Sequence, residues 1–520
     1  MNLSRVKSFF SVAGLLCVSG LIYSLAGFTP QAVAPARRNA RSGVPVSPNI
    51  IYIYADDLGY GELGCYGQQK IRTPHLDQLA REGIRFTQHY TSTPVCAPAR
   101  CMLLTGQHGG HSYIRGNYEM GGVTDSLEGG QMPLYPGTFT VGRMLQQAGY
   151  KTACIGKWGL GMANTTGDPN RQGFDYFYGF LDQKQAHNHY PTHLWENGKS
   201  VPLNNSNINV RRRLTPQMAT PEVFASFVGS DYAIDKMTQK AQAFVRQHRN
   251  TPFFLYLPFT APHVSLQAPA GAIQAYAGQF EETPYLGQQG YASTPRPRAT
   301  YAAMITHMDS QIGALIQLLK DLKIDNNTLV MFSSDNGPGF NGGTETAYFN
   351  SAGNLRGIKQ DVYEGGIREP MLARWPGKIK PGQVTAHVSV QYDLLATLAD
   401  LTRSKLPVET DGISFLPTLF GQPAKQRQHP FIYWEFPEKG GQLAIRMGDW
   451  KAVKTNIRKN RAAAWELYDL SRDVGETTNV AAQHPDLIQQ ANAIVRREHI
   501  PAHINEWEFV MPKLITVSAE

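Results

Sequence analysis

The sequence predicts an α/β fold: a mostly parallel sheet sandwiched by helices, then a smaller α+β unit containing a short antiparallel sheet. Three observations carry this. Short apolar runs at 49–55, 151–155, 252–257 and 328–333 each end abruptly in a polar or glycine-rich loop, the pattern of strands buried on both faces. Helical patterns alternate with them over 73–83, 139–148 and 299–322, and the last places Ala302, Ile305, Ile312, Leu315, Ile316 and Leu319 at helical spacing. Beyond a Pro- and Gln-rich stretch at 421–429, four short strands (432–436, 442–447, 450–454 and 466–470) precede a helix over 485–497. A strand over 84–90 leads into the most distinctive loop of the chain.

The ends and the composition set outer bounds. A chain of 520 residues can bury a large core, and 42% hydrophobic residues suit an ordinary globular protein. Arg5 and Lys7 precede an apolar stretch at 9–26 and a polar, Pro-containing segment, the layout of a secretory signal. Residues 1–36 are therefore read as signal and leader of an exported protein, periplasmic or secreted. Ala34 or Ala36 would end the leader, with an uncleaved anchor as the alternative and Cys17 a poor match to a lipoprotein signal. No later segment looks transmembrane, so stable membrane insertion is not expected once the signal is removed. The net charge of +8 stays positive without Arg5 and Lys7 and suits an anionic substrate. There is no basic run with interleaved aromatics and no zinc-finger spacing, which argues against a nucleic acid partner. Cys65, Cys101 and Cys154, left after Cys17 and Cys96, allow at most one internal disulfide.

The chemistry is organised around residues 94–106. Cys96 is followed by Pro98 and Arg100 and then by an apolar helical stretch ending in Thr105-Gly106; Pro98 suits a first helical turn, so Cys96 sits at a helix N-terminus, where an anion or a thiolate is favoured. The 49–55 strand ends in Asp56-Asp57-Leu58-Gly59, and the 328–333 strand in Ser334-Asp335-Asn336-Gly337. Two such strand ends can supply four oxygen ligands, and a hard divalent cation relieves the repulsion between adjacent carboxylates. The 151–155 strand runs into Gly156-Lys157-Trp158-Gly159, and 252–257 leads to Thr260-Ala261-Pro262-His263. A further run, 354–370, carries Lys359, Glu364 and Arg368.

In family order over residues 49–480, these pieces resemble the type I sulfatases, arylsulfatase A-like members of the alkaline phosphatase superfamily. The resemblance implies an alkaline-phosphatase-like fold, a catalytic domain at 46–422 and a C-terminal subdomain at 423–520 that shapes one wall of the pocket. It implies that a formylglycine-generating maturation enzyme oxidises Cys96 to formylglycine, whose hydrate supplies the nucleophile. One calcium ion would be held by Asp56, Asp57, Asp335, Asn336 and the matured Cys96. Arg100 and Lys157 would bind the nucleophile and sulfate, Lys359 would be the second sulfate-binding lysine, and His263 would protonate the leaving oxygen. Glu364 and Arg368 would be structural. The implied substrate is a sulfated glycan or other sulfate ester, such as an aryl sulfate.

The chain departs from the family at Gly159, where many sulfatases carry the histidine assigned as the base that helps expel sulfate. The 181–193 stretch is rich in histidine, and His187 is the expected replacement, with His189 as runner-up. Tyr190, Trp195 and Trp434 are candidates for stacking on a sugar. Three other readings stand beside the sulfatase. A phosphodiesterase or phosphonate hydrolase of the same superfamily would need a second metal site. A thiol enzyme would use unmodified Cys96, and a non-catalytic binder of sulfated glycans is suggested by Gly159 alone.

Overall fold

The computed structural model describes residues 47–121 and 128–511, so the signal, cleavage-site and Cys17 readings lie outside the described residues. Its centre is the strand Asn49–Asp56, buried at every position and paired in parallel with Phe253–Pro262 on one side and Thr328–Ser334 on the other. Lys151–Lys157 and then Tyr176–Phe180 continue the parallel series. The flanks are antiparallel: Arg368–Arg374 joins Thr328–Ser334 to Ile84–Tyr90, and the hairpin of His193–Glu196 and Lys199–Pro202 closes the far side.

The period-two alternation of a strand divides the core into two layers. Ile51, Ile53 and Ala55 face the layer filled by Pro74–Glu82, Ala233–His248 and Pro297–Asp321. Ile50, Tyr52 and Tyr54 face the layer filled by Cys96–Thr105, Val141–Gln147 and Asp393–Thr402. Helices thus cover both faces, which is why the central strands read as continuous apolar runs. The predicted elements recur with shifts of a few residues at their ends. One extension matters, because the strand predicted at 151–155 runs to Lys157 and carries that lysine as its last residue.

The C-terminal antiparallel sheet, Ile432–Phe436, Gln442–Met447, Trp450–Lys454 and Glu466–Asp469, buries its two faces differently. Trp434, Ala444 and Val453 pack on Tyr90, Val95 and Tyr392 beside the Cys96 helix, and Trp434 Nε1 donates to Thr91 O at 2.8 Å. The other face packs on Ala491, Ile494 and Val495 of the helix Pro485–Glu498. Trp434 and Tyr190 are therefore core residues and not sugar-stacking platforms, while Trp195 Nε1 donates to Glu128. Cys65, Cys96, Cys101 and Cys154 are all free, so the one disulfide the count allowed does not form among the described residues.

The last helix is fastened by charge. His108 Nε2 lies 3.3 Å and His111 Nε2 3.7 Å from Glu498 Oε2, and His111 Nδ1 meets Asp411 Oδ1 at 2.9 Å. The two imidazoles are stacked with centroids 4.1 Å apart. Burial would lower His111, but the hydrogen bond and charge of Asp411, with Glu498, raise it; the hydrogen bond from His108 helps hold Glu498 down at about 2. The contribution of His111 is complete below its ordinary 6.5 and is lost as pH rises through its raised folded value; that of Glu498 is complete above its ordinary 4.5 and is lost as pH falls toward 2. The clasp is therefore strongest between pH 4.5 and 6.5. His111→Gln should lower stability in that window by about 1 kcal/mol, allowing for the part of the ring that solvent screens. In a melting series from pH 4 to 9, the gap from the parent should close toward the alkaline end.

Candidate active site

Parallel strands carry their C-terminal ends to the same edge: Ala55 lies opposite Ser334, and after a register shift beyond Tyr54, Asp56 lies opposite Pro262. One edge of the sheet consequently receives Asp56 and Asp57 from the first strand end, Asp335 and Asn336 from the second, His263 from the third and Lys157 from the fourth. Asp57 adopts φ +64°, a left-handed turn, and its N–H donates to Asp335 Oδ1 at 3.0 Å, tying the two acidic strand ends together.

Cys96 begins a helix whose ten residues are all buried. Its Sγ lies 3.4 Å from Asp56 Oδ1 and 3.4 Å from Lys359 Nζ. One turn on, Arg100 donates through Nη2 to Asp335 Oδ2 at 2.7 Å and through Nη1 to Lys157 O at 2.9 Å. Lys157 Nζ meets Asp56 Oδ2 at 2.6 Å, and Lys359 Nζ meets Asp57 Oδ1 at 2.7 Å. The loop carrying Lys359 is held by Lys359 N–H to Pro338 O and Gln360 N–H to Pro94 O. It approaches the Asn336 loop so closely that a Cβ on Gly337 would lie 2.3 Å from Gly365 O, which only glycine avoids.

Three carboxylates thus face three cations in a site cut off from water. Burial alone would raise Asp56, but Lys157, then His263, Arg100 and Lys359 hold it well below the usual range. Burial, reinforced by Asp56, pushes Asp335 up to about 7, and burial raises Asp57 despite Lys359. These carboxylates are under-compensated, and Asn336 Oδ1 is buried without a hydrogen-bond partner among the described residues. Hard oxygen donors in surplus, one of them unpaired, fit a divalent cation. Cys96, Asp56, Asp57 and His263 also offer ligand atoms within 4.8 Å of one another. Among the described residues no second set of convergent Asp and His ligands adjoins this group, as a two-metal phosphodiesterase would need. Burial also pushes the Cys96 thiol far up, against the pull of Lys157 and Lys359, so it is no thiolate nucleophile as it stands.

The structure brings every predicted site residue to this edge. His187 and His189 part company there. The His187 ring stacks on His263 with centroids 4.7 Å apart and a 13° tilt, and it makes no hydrogen bond among the described residues. His189 is fully buried, with Nε2 2.9 Å from His263 O and Nδ1 3.1 Å from Thr260 Oγ1. The runner-up is thus a prop for the His263 segment, with both ring nitrogens engaged. Burial, then Lys359 for His263 and His263 for His187, lowers both imidazoles well below their ordinary range.

Gly159 adopts φ +71°, and the position its Cβ would take is 3.3 Å from Gln183 Oε1. Gln183 Nε2 donates to Asn117 Oδ1 at 3.1 Å, the same oxygen that accepts Ala97 N–H at 3.3 Å, and Asn117 N–H donates to Glu438 Oε1 at 2.6 Å. Sequence reasoning missed Gln183, Asn117 and Glu438. Gln183 lies within the histidine-rich stretch and was findable there, whereas Asn117 and Glu438 belong to no motif.

Removing one partner from a buried ion network leaves charge uncompensated, at a cost of about 3–5 kcal/mol. Arg100→Ala should lose about that much in chemical denaturation, whereas Lys184→Ala, whose amine is a quarter exposed and 3.8 Å from Glu119, should lose under about 1 kcal/mol.

The sulfatase family model matches residues 48–404, and a model for the C-terminal part of N-sulphoglucosamine sulphohydrolase matches 358–497. The chain is 30% identical to N-acetylgalactosamine-6-O-sulfatase of Bacteroides thetaiotaomicron, over 86% of this chain and 92% of that one. It is 34% identical to human arylsulfatase A, over 85% and 86% of the two chains. Its fold superimposes on the crystal structure of Ps i-CgsB in complex with k-i-k-neocarrahexaose with a TM-score of 0.69 and 28% identity, over 87% of this chain and 93% of that one.

Proposed function

The chain belongs to the sulfatase family and is a sulfuric ester hydrolase; from that premise we propose that it is an exported enzyme that removes sulfate from a sulfated carbohydrate, with Cys96 oxidised to formylglycine and calcium at the acidic strand ends. The single observation that carries the reading is the meeting of Cys96, Arg100, Lys157 and Lys359 with the under-compensated Asp57, Asp335 and Asn336 at one buried edge. Relatives that act on glycans support the substrate class.

Oxidation of Cys96 would supply an aldehyde hydrate whose oxygen attacks sulfur, and calcium would supply positive charge to the sulfate oxygens. The chain's own residues do the rest. Lys157, bonded to Asp56, and Lys359, 3.4 Å from Cys96 Sγ, present ammonium groups at the nucleophile, and Arg100 fixes Asp335, so charge gathering on the sulfuryl oxygens is met by preorganised donors. The Nδ1 of His263 lies 2.6 Å from Val264 O and therefore carries the proton there, leaving Nε2 directed to the site 3.6 Å from Asp57. Once a second proton is bound at Nε2, the resulting imidazolium of His263 would pass that proton to the departing alcohol and return to the Nδ1–H form. His187, without a hydrogen bond among the described residues, takes the proton whose removal lets sulfate leave, the task for which Gly159 has no side chain. Residues 46–422 carry this machinery, and 423–520 contribute Glu438 to its wall.

Sulfate release from a panel of sulfated oligosaccharides and 4-nitrophenyl sulfate, followed by ion chromatography, tests the assignment. Release should vanish in Cys96→Ala; persistence there would refute the nucleophile. His187→Ala should lower kcat by about 10²–10³-fold while leaving KM within a few-fold. Calcium should raise the melting temperature of the parent and not that of Asp57→Ala.

A further inference from the structure

The amides beside Gly159 are saturated on one side and open on the other. Asn117 Oδ1 has both lone pairs occupied, by Ala97 N–H at 3.3 Å and Gln183 Nε2 at 3.1 Å. Gln183 N–H is fixed to Gln131 Oε1 at 2.8 Å, and Gln131 Nε2 to Glu119 Oε2 at 2.6 Å. Gln183 Oε1 is left over: it is buried and has no partner among the described residues. Asn117 is partly exposed, and its Nδ2 makes no hydrogen bond among the described residues either. Two amides joined by one hydrogen bond therefore carry a free acceptor and a free donor. Asn117 lies one hydrogen bond from Ala97, the residue after Cys96, and Gln183 Oε1 borders the space that a side chain at 159 would enter.

We propose that Gln183 and Asn117 form a recognition point for a hydroxyl of the alcohol that carries the sulfate, selecting a pyranoside with a free hydroxyl on the carbon next to the esterified one. This deepens the sulfatase reading and rests on it. A hydroxyl donates once and accepts as well, so a single O–H satisfies both Gln183 Oε1 and Asn117 Nδ2, which a purely donating or purely accepting group cannot do. The position fits the first substituent beside the ester, because the amide pair adjoins Ala97 and not a distant rim. A substrate lacking that hydroxyl leaves a buried oxygen unsatisfied, and sites built to bond a substrate hydroxyl discriminate strongly against analogues without it. Gln183 is by this account a specificity residue; it has no ionisable proton and takes no part in proton transfer.

The test compares kcat/KM for a cleaved sulfated pyranoside, for its analogue deoxygenated at the carbon beside the ester, and for 4-nitrophenyl sulfate, in the parent and in Gln183→Leu and Gln183→Met. The parent should prefer the hydroxylated sugar by about ten-fold or more. Both variants should lose that preference, falling about ten-fold more on the hydroxylated sugar than on the nitrophenyl ester. Equal losses on all three substrates, or a parent indifferent to the hydroxyl, would overturn the proposal while leaving the sulfatase reading intact. No sulfate from any substrate would overturn both. Melting curves of the two variants, which match glutamine in size, identify any loss of folding, and retention of the preference by either folded variant also counts against the proposal.

Discussion

The constraint on which this molecule depends is that three carboxylates and three cations are held out of water at one edge of an apolar sheet. Ions of one sign could not stay charged there; each of Asp56, Asp57 and Asp335 is tolerated because Arg100, Lys157 or Lys359 stands within about hydrogen-bond distance of it. That requirement explains features distant from one another in sequence. It explains why the strand Lys151–Lys157 ends on its lysine, why Arg100 lies wholly inside a buried helix, and why the loop bearing Lys359 is clamped to the Asn336 and Pro94 loops. The balance remains incomplete at Asp335 and Asn336, where hard oxygen donors are left without a partner among the described residues, a donor set that fits a divalent cation.

The sheet supplies this arrangement through register. Parallel pairing brings the strand ends to one edge, so that Asp56 and Lys157, the last residues of their strands, meet His263 and Asp335 one place beyond theirs. The chemistry divides accordingly. Charged groups that must hold position come from strand ends and from the Cys96 helix, whereas His187 and Gln183 come from the longer excursion between Tyr176–Phe180 and His193–Glu196.

Much of this was legible because the relevant signals are local. An apolar run that stops at Asp56-Asp57, or at Ser334-Asp335-Asn336, announces a buried strand and an acidic end in the same few residues. What was not legible depended on long-range meetings of ordinary polar residues. Asn117 and Glu438 are 321 positions apart, and nothing near either marks it as a partner of the other. Tyr190 and Trp434 misled for a related reason: an aromatic that stacks on a sugar and one that fills a core have the same composition signal, and only burial separates them. The antiparallel strand Arg368–Arg374 also escaped, since the short turn Glu364–Ile367 before it resembles a loop and its reversal depends on Lys451 and Arg368 gripping Glu364.

Glu438 sits at the tip of the first hairpin of the C-terminal sheet, just before two glycines in left-handed conformation, and from there it accepts the N–H of Asn117. The residues that hold the nucleophile loop are therefore split between the first quarter of the chain and its last fifth. During synthesis, a nascent polypeptide can form its central sheet long before it can finish its pocket. A chain that ended before this sheet would lack the carboxylate that receives Asn117 and would leave Tyr90, Val95 and Tyr392 uncovered beside the Cys96 helix.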